Sequence, residues 1–223
     1  MSTEYNPLPG IETYQDNMNP TLCSPYSSYE IKFYQTRETL NDVDTYRQFL
    51  KNVELQFRHS TTYTRYKGFV MSLGLDHCQI HGYLSADMVG DKGIEMHHCI
   101  LTLFDLALII TEYMLNTVGY VTTFDVVQTL KDEHKLNHIA LVMLSKTAHQ
   151  VYHSDSGMFI HPSMCFGQWW VFLEKYMQGM TQDVAFKLLY YFKRSIELGE
   201  TLDNDLLSLR DNIIDWSEKH GYT

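Results

Sequence analysis

Two histidine pairs stand out because both lie in otherwise apolar or weakly polar surroundings. His97 and His98 are adjacent in "IEMHHCI", residues 94 to 100, and His149 and His153 are four residues apart in "KTAHQVYHS". The chain has 11 histidines, and all but His59 and His220 fall between His77 and His161. An imidazole in an apolar run is either a hydrogen-bonded core residue or a ligand. Four in two compact pairs point to a site for a divalent ion, because neutral imidazoles bind zinc and other borderline metals while leaving a coordination position open. His149 and His153 at i and i+4 share one face of a helix, so both rings can reach one ion.

These side chains need elements to position them. "IEMHHCI" reads as a short strand after a Gly-rich turn, and "HIALVMLS" as a buried strand by its continuous apolar content. "KTAHQVYHSD" reads as a short helix. Between the two strands, Thr102 is placed to cap "LFDLALIITEYMLN", and Thr122 or Thr123 to open the helix of "GYVTTFDVVQTLKDEHKLN". Upstream, Val43, Tyr46, Leu50, Val53 and Phe57 keep helical spacing, with Asn41 as the expected N-cap and Asp44 in the first turn. "GFVMSLGLDHCQIHGYLSADMVGDKG" alternates weakly. Three further helices are expected in "GQWWVFLEKYMQGM", "TQDVAFKLLYYFKRSIELGE" and "TLDNDLLSLRDNIIDWSEKHG".

The order of strand, helical insertion, strand and helix, with "EMHH" on the first strand and "ALVMLSKTAHQVYH" across the second strand and helix, resembles the ββα-metal motif of HNH endonucleases, the colicin-type DNases in particular. The resemblance covers residues 94 to 153 and is interrupted by an insertion. It implies that His97, His149 and His153 hold a divalent metal ion (zinc, nickel or magnesium) and that His98 is the general base. The family's middle Asn falls on Ala140, a departure that leaves Asn137 or His138 to orient the base. Glu95 and His134 are candidates to support the ligands from behind, and Lys146 to hold a phosphate.

The fold class expected is therefore α+β, mostly helical with a small ββα-metal core. Residues 1 to 28 form an extended arm, 29 to 93 a helical and strand region, 94 to 161 the HNH-like core with its helical insertion at 101 to 136, and 162 to 223 the C-terminal helices. The net charge of −10 excludes a general nucleic-acid coat. From Leu55 to Leu75, however, there is no acidic residue, and Arg58, Arg65 and Lys67 alternate with Tyr63 and Tyr66. Such a stretch is either a nucleic-acid docking surface or a solvated loop beside a tyrosine-rich core.

No apolar run is long enough for a membrane span, and the polar, Pro-containing start lacks a signal-peptide core, so a cytoplasmic protein is expected. The resemblance to HNH endonucleases implies a phage or bacterial origin. The four cysteines lack a CxxC pair. A competing zinc site would join His77, Cys78 and His81 to Cys99 or Cys165, although no standard spacing supports it. One of Trp169 and Trp170 is expected to mark a partner surface. The function expected is metal-dependent hydrolysis of nucleic-acid phosphodiesters, DNA before RNA. The alternative is a catalytically degenerate HNH-like fold that binds or regulates a protein partner.

Overall fold

The computed structural model describes residues 34–82, 93–154 and 158–222. The expected arm at residues 1 to 28 lies outside them, as does the Gly-rich end of the weakly alternating stretch. Ten principal elements follow: α1 (Val43–Arg58), α2 (Thr61–Ser72), β1 (Ile94–His98), α3 (Leu103–Thr117), α4 (Thr123–Lys135), β2 (Leu141–Ser145), α5 (Lys146–Tyr152), α6 (Trp169–Lys175), α7 (Gln182–Glu197) and α8 (Asn204–Lys219). The protein is α+β and mostly helical, as its patterning implies. No helix among the described residues is long and apolar enough to cross a membrane.

Local chemistry fixes most helix starts. Thr102 and Asp105 form a reciprocal capping box at α3, each side chain bonded to the other's backbone N–H. Thr122 caps α4 by accepting from the Asp125 N–H, and Ser145 caps α5 by accepting from Ala148. At α1 the cap is Asp42 rather than Asn41, because the Asp42 carboxylate reaches both the N–H and the hydroxyl of Thr45. A larger difference concerns α2. Residues 68 to 72, whose weak alternation hid their conformation, complete a helix capped by Ser60. Only Tyr66 and Val70 of α2 are buried, and Gly68 lowers helix propensity, so little periodic signal was there to read.

β1 and β2 pair antiparallel with His97 opposite Val142 and His98 opposite Leu141, although residues 99 to 140, carrying α3 and α4, separate them in sequence. β2 is wholly buried. Its other edge is closed by Phe166, which exchanges backbone hydrogen bonds with Leu141, and by Gln79, whose backbone N–H and side chain bond the Met143 carbonyl and N–H. α1, α3 and α4 pack together, α7 packs on α8, and α8 on α6. A single apolar core runs through these elements.

Close packing is tightest where the 3₁₀ turn Met177–Gly179 crosses α3. A Cβ on Gly179 would stand 2.0 Å from the Ile109 carbonyl oxygen and 2.7 Å from the Tyr113 nitrogen, both fixed helix backbone. Gly68, in contrast, is exposed in mid-helix with nothing within 4 Å of a Cβ. Gly179→Ala should therefore destabilise the protein by about 1–3 kcal/mol through overpacking, while Gly68→Ala should stabilise it by roughly 0.5–1 kcal/mol through helix propensity. Denaturant unfolding of both variants beside wild type checks the opposite signs.

Candidate metal centre

Successive side chains on a strand face opposite ways, and β1 uses this to send its two histidines to different places. Glu95 and His97 face α5. His149, on the first full turn of that helix, presents Nδ1 to the Glu95 carboxylate. Since an ionised carboxylate only accepts, the proton sits on Nδ1 and the Nε2 lone pair of His149 points the other way. There it meets His97 Nδ1 at 3.0 Å and His153 Nε2 at 3.0 Å.

Among the described residues, these three imidazoles are the group of side chains whose ligand atoms converge closely enough to hold a metal ion, all lying within 4.8 Å of one another. At metal–nitrogen distances near 2.0–2.1 Å, a tetrahedral site would space its nitrogens at about 3.3 Å. Outward shifts of a few tenths of an ångström would accommodate an ion. The donor set is chemically suited to zinc or nickel, and three ligands leave a coordination position open.

Burial grades across the site. His97 is 8 % exposed, His149 is half-buried and His153 is open to solvent. Burial, and then the neighbouring imidazoles of His149 and His153, pushes His97 down to about 3. His153 is lowered as well, by desolvation and by His149. Both shifts favour the neutral ring, which is the form that binds metal. The Tyr152 ring stands edge-on to His97 at 4.7 Å, and its hydroxyl is 2.8 Å from that of Tyr191, tying α5 to α7. Nothing in the sequence pattern beyond its place next to His153 marked Tyr152 as part of the site.

The structure separates His98 from this cluster. Its ring turns to the opposite face of β1, 5 % exposed, and lies 3.0 Å from His134 Nε2 on α4. His134 Nδ1 donates to the Leu130 carbonyl at 2.6 Å, which leaves its Nε2 to accept from the N–H of His98. Tyr63 stacks over His98, while Phe57 and Tyr66 pack on His134. β1 lacks the local twist that would bring adjacent histidines to one site, so the residue expected to be the general base is a satisfied core group. His134, expected behind the ligands, supports His98 instead.

The other expected site residues disperse. Asn137, in the left-handed region at φ 58°, accepts from the Tyr66 hydroxyl at 3.0 Å. His138 bonds Glu133, a buried carboxylate that also receives Lys175 and Tyr176. Both therefore pin the turn between α4 and β2 rather than orient a base. Ala140 is buried, and its carbonyl accepts from the Cys99 N–H.

Arg58 pairs with Glu54 one turn earlier, and Lys67 donates to the Ile94 carbonyl at 2.7 Å. Arg65 lines an open groove with Tyr66, Phe69 and Lys135, and Lys146 is exposed at the first position of α5. The alternative grouping of His77, Cys78 and His81 with Cys99 or Cys165 is not among the converging sets, since Cys78 is core and Gln79 is spent on β2. Trp169 is buried on Phe192, and Trp170 is only partly buried.

Fold and site together define an α+β protein whose short strand–strand–helix unit gathers three imidazoles under the control of one carboxylate. The model of the Bacteriophage G278-like virion protein family matches residues 11–220, and the chain belongs to that family. No curated protein and no solved structure matches it.

Two measurements follow from this geometry. Because Glu95 fixes the His149 tautomer, Glu95→Ala should weaken zinc binding by about 10–100-fold without abolishing it, as read by competition with a chromophoric chelator. The buried pair gives a pH signature. Burial dominates the lowering of both His98 and His134, and His134 falls to about 4. Below pH ~6.5 the unfolded chain takes up protons that the folded chain refuses. Stability present above that pH is therefore lost progressively on acidification toward pH 4. Each histidine contributes a slope of about 1.4 kcal/mol per pH unit. Urea midpoints between pH 4.5 and 7.5 should show this acid limb, flattened in the His98→Leu/His134→Leu variant.

Proposed function

We propose that this chain is a metal-binding component of the phage particle, and that its ββα unit performs HNH-type, metal-dependent hydrolysis of nucleic-acid phosphodiesters, DNA before RNA. The observation that carries the reading is the convergence of His97 Nδ1 and His153 Nε2 on His149 Nε2, each at 3.0 Å, on a strand–strand–helix unit. A divalent ion held there would supply Lewis acidity to a phosphate oxygen and lower the pKa of a water. The chain's own residues do the rest. His97, His149 and His153 offer lone pairs, Glu95 holds the proton on His149 Nδ1, and Tyr152 covers one side of the His97 ring. Lys146, exposed at the start of α5, is a candidate phosphate partner.

With His98 engaged by His134, no role as base is assigned to it, and hydrolysis is expected to be slow. That same placement, with Ala140 at the middle position, favours a second reading in which the unit binds metal but serves a protein contact within the particle.

Elemental analysis of wild type beside His149→Ala/His153→Ala, followed by plasmid nicking with zinc, nickel, magnesium and manganese, separates the two readings. About one equivalent of metal and nicking, both lost in the double variant, supports the hydrolase. Metal without nicking leaves the protein-contact reading, and no metal under any loading removes both. His98→Ala should lower stability and leave metal content unchanged.

A further inference from the structure

A second feature adjoins the triad. Between α5, the segment around Phe159 and α7 lies an open groove of about 470 Å³, lined by Tyr152, Phe159, Tyr190, Tyr191, Arg194 and Glu197. That volume falls in the range of roughly 300–1,000 Å³ that small-ligand clefts occupy. Tyr152 belongs to both places, since one residue lines the groove and stands against His97. Phe159 packs on Tyr191 at 5.0 Å, and the Tyr152–Tyr191 hydroxyl contact braces that wall. Tyr190 is different. It is 62 % exposed on α7, a large aromatic surface left in water in the same groove as Tyr152.

The polar part of the groove is a couple rather than a charge patch. Arg194 and Glu197 face each other at 3.3 Å, both with side chains more than two-fifths exposed. They therefore offer a donor fork and an acceptor side by side, with no surplus positive charge. On a chain of net charge −10, such a groove is poorly suited to hold a phosphate backbone. It is suited to a flat heterocycle with donors and acceptors on its edge, stacked on tyrosine faces. The bases of a duplex are stacked inside and cannot enter; those of a single strand can.

We propose that the Tyr152–Tyr190–Arg194 groove binds an unpaired base of single-stranded DNA next to the phosphate held at the triad. The inference rests on the phosphodiester reading for its substrate class and sharpens it from nucleic acid to an unpaired strand.

The test is fluorescence anisotropy of the full chain with fluorescein-labelled oligothymidylate, an oligouridylate of equal length and a duplex, in EDTA and again with zinc. Tighter binding of oligothymidylate than of duplex by tenfold or more is expected. Tyr190→Ala should weaken it about tenfold, in line with the loss of one stacked base. Tyr190→Phe should retain it, and Arg194→Ala should weaken it, with zinc content unchanged in all three variants. Equal or tighter binding of duplex or of oligouridylate overturns the proposal, as does wild-type affinity in Tyr190→Ala.

The two readings fail separately. Tyr190-dependent oligothymidylate binding in EDTA by a protein that nicks nothing sustains the groove and removes the hydrolase. Nicking with Tyr190-independent binding does the reverse.

Discussion

The pairing of β1 with β2 is the constraint on which the rest of the molecule depends. Its register sets His97 across from Val142 and places α5 directly after β2, so that Glu95 and His97 meet His149 and His153. A slip of one residue would exchange the faces of β1 and send His97 into the core and His98 to the helix. Such a slip is resisted by burial. β2 is apolar at four of its five positions and covered on both faces, with its free edge taken up by Phe166 and Gln79.

Each face of β1 then solves a different electrostatic problem. On the inner face, two imidazoles are removed from water and kept neutral by that burial, while their hydrogen bonds to each other and to the Leu130 carbonyl satisfy the buried ring nitrogens. On the outer face, three imidazoles aim ring nitrogens at a common space, a donor set of the type that could hold a metal ion. Glu95 decides which nitrogen of His149 takes part. The inner pair braces, from the opposite face, the same strand that carries His97.

The helical insertion between the strands contributes through the same framework. α4 supplies His134 to the inner pair and, one residue earlier, Glu133 to the cluster of His138, Lys175 and Tyr176. Adjacent residues of one helix thus tie it to β1 on one side and to α6 on the other. The insertion covers His98 on the inner face of the sheet together with Tyr63 of α2.

Much of this was legible in residue order. Thr102, and Thr122 or Thr123, marked helix starts because a hydroxyl three residues before a free N–H is a local arrangement, and the apolar run of β2 and the i, i+4 spacing of His149 and His153 are local too. α2 was obscured by Gly68 and by its thin buried stripe. What only the tertiary structure decided is partnership. His97 and His98 are the same residue type at neighbouring positions; the resemblance grouped His97 with the helix histidines but assigned His98 to the same site, and nothing in the sequence sent it to α4. The answer came from strand alternation combined with which helix packs on which face, a matter of long-range packing. For the same reason Lys67 and Asn137, plausible by type, were claimed by partners elsewhere in the fold, whereas Arg58 and His138 are held by near neighbours in sequence, Glu54 and Glu133. Composition and spacing determine what a side chain is able to do; the faces of β1 determine what it is near.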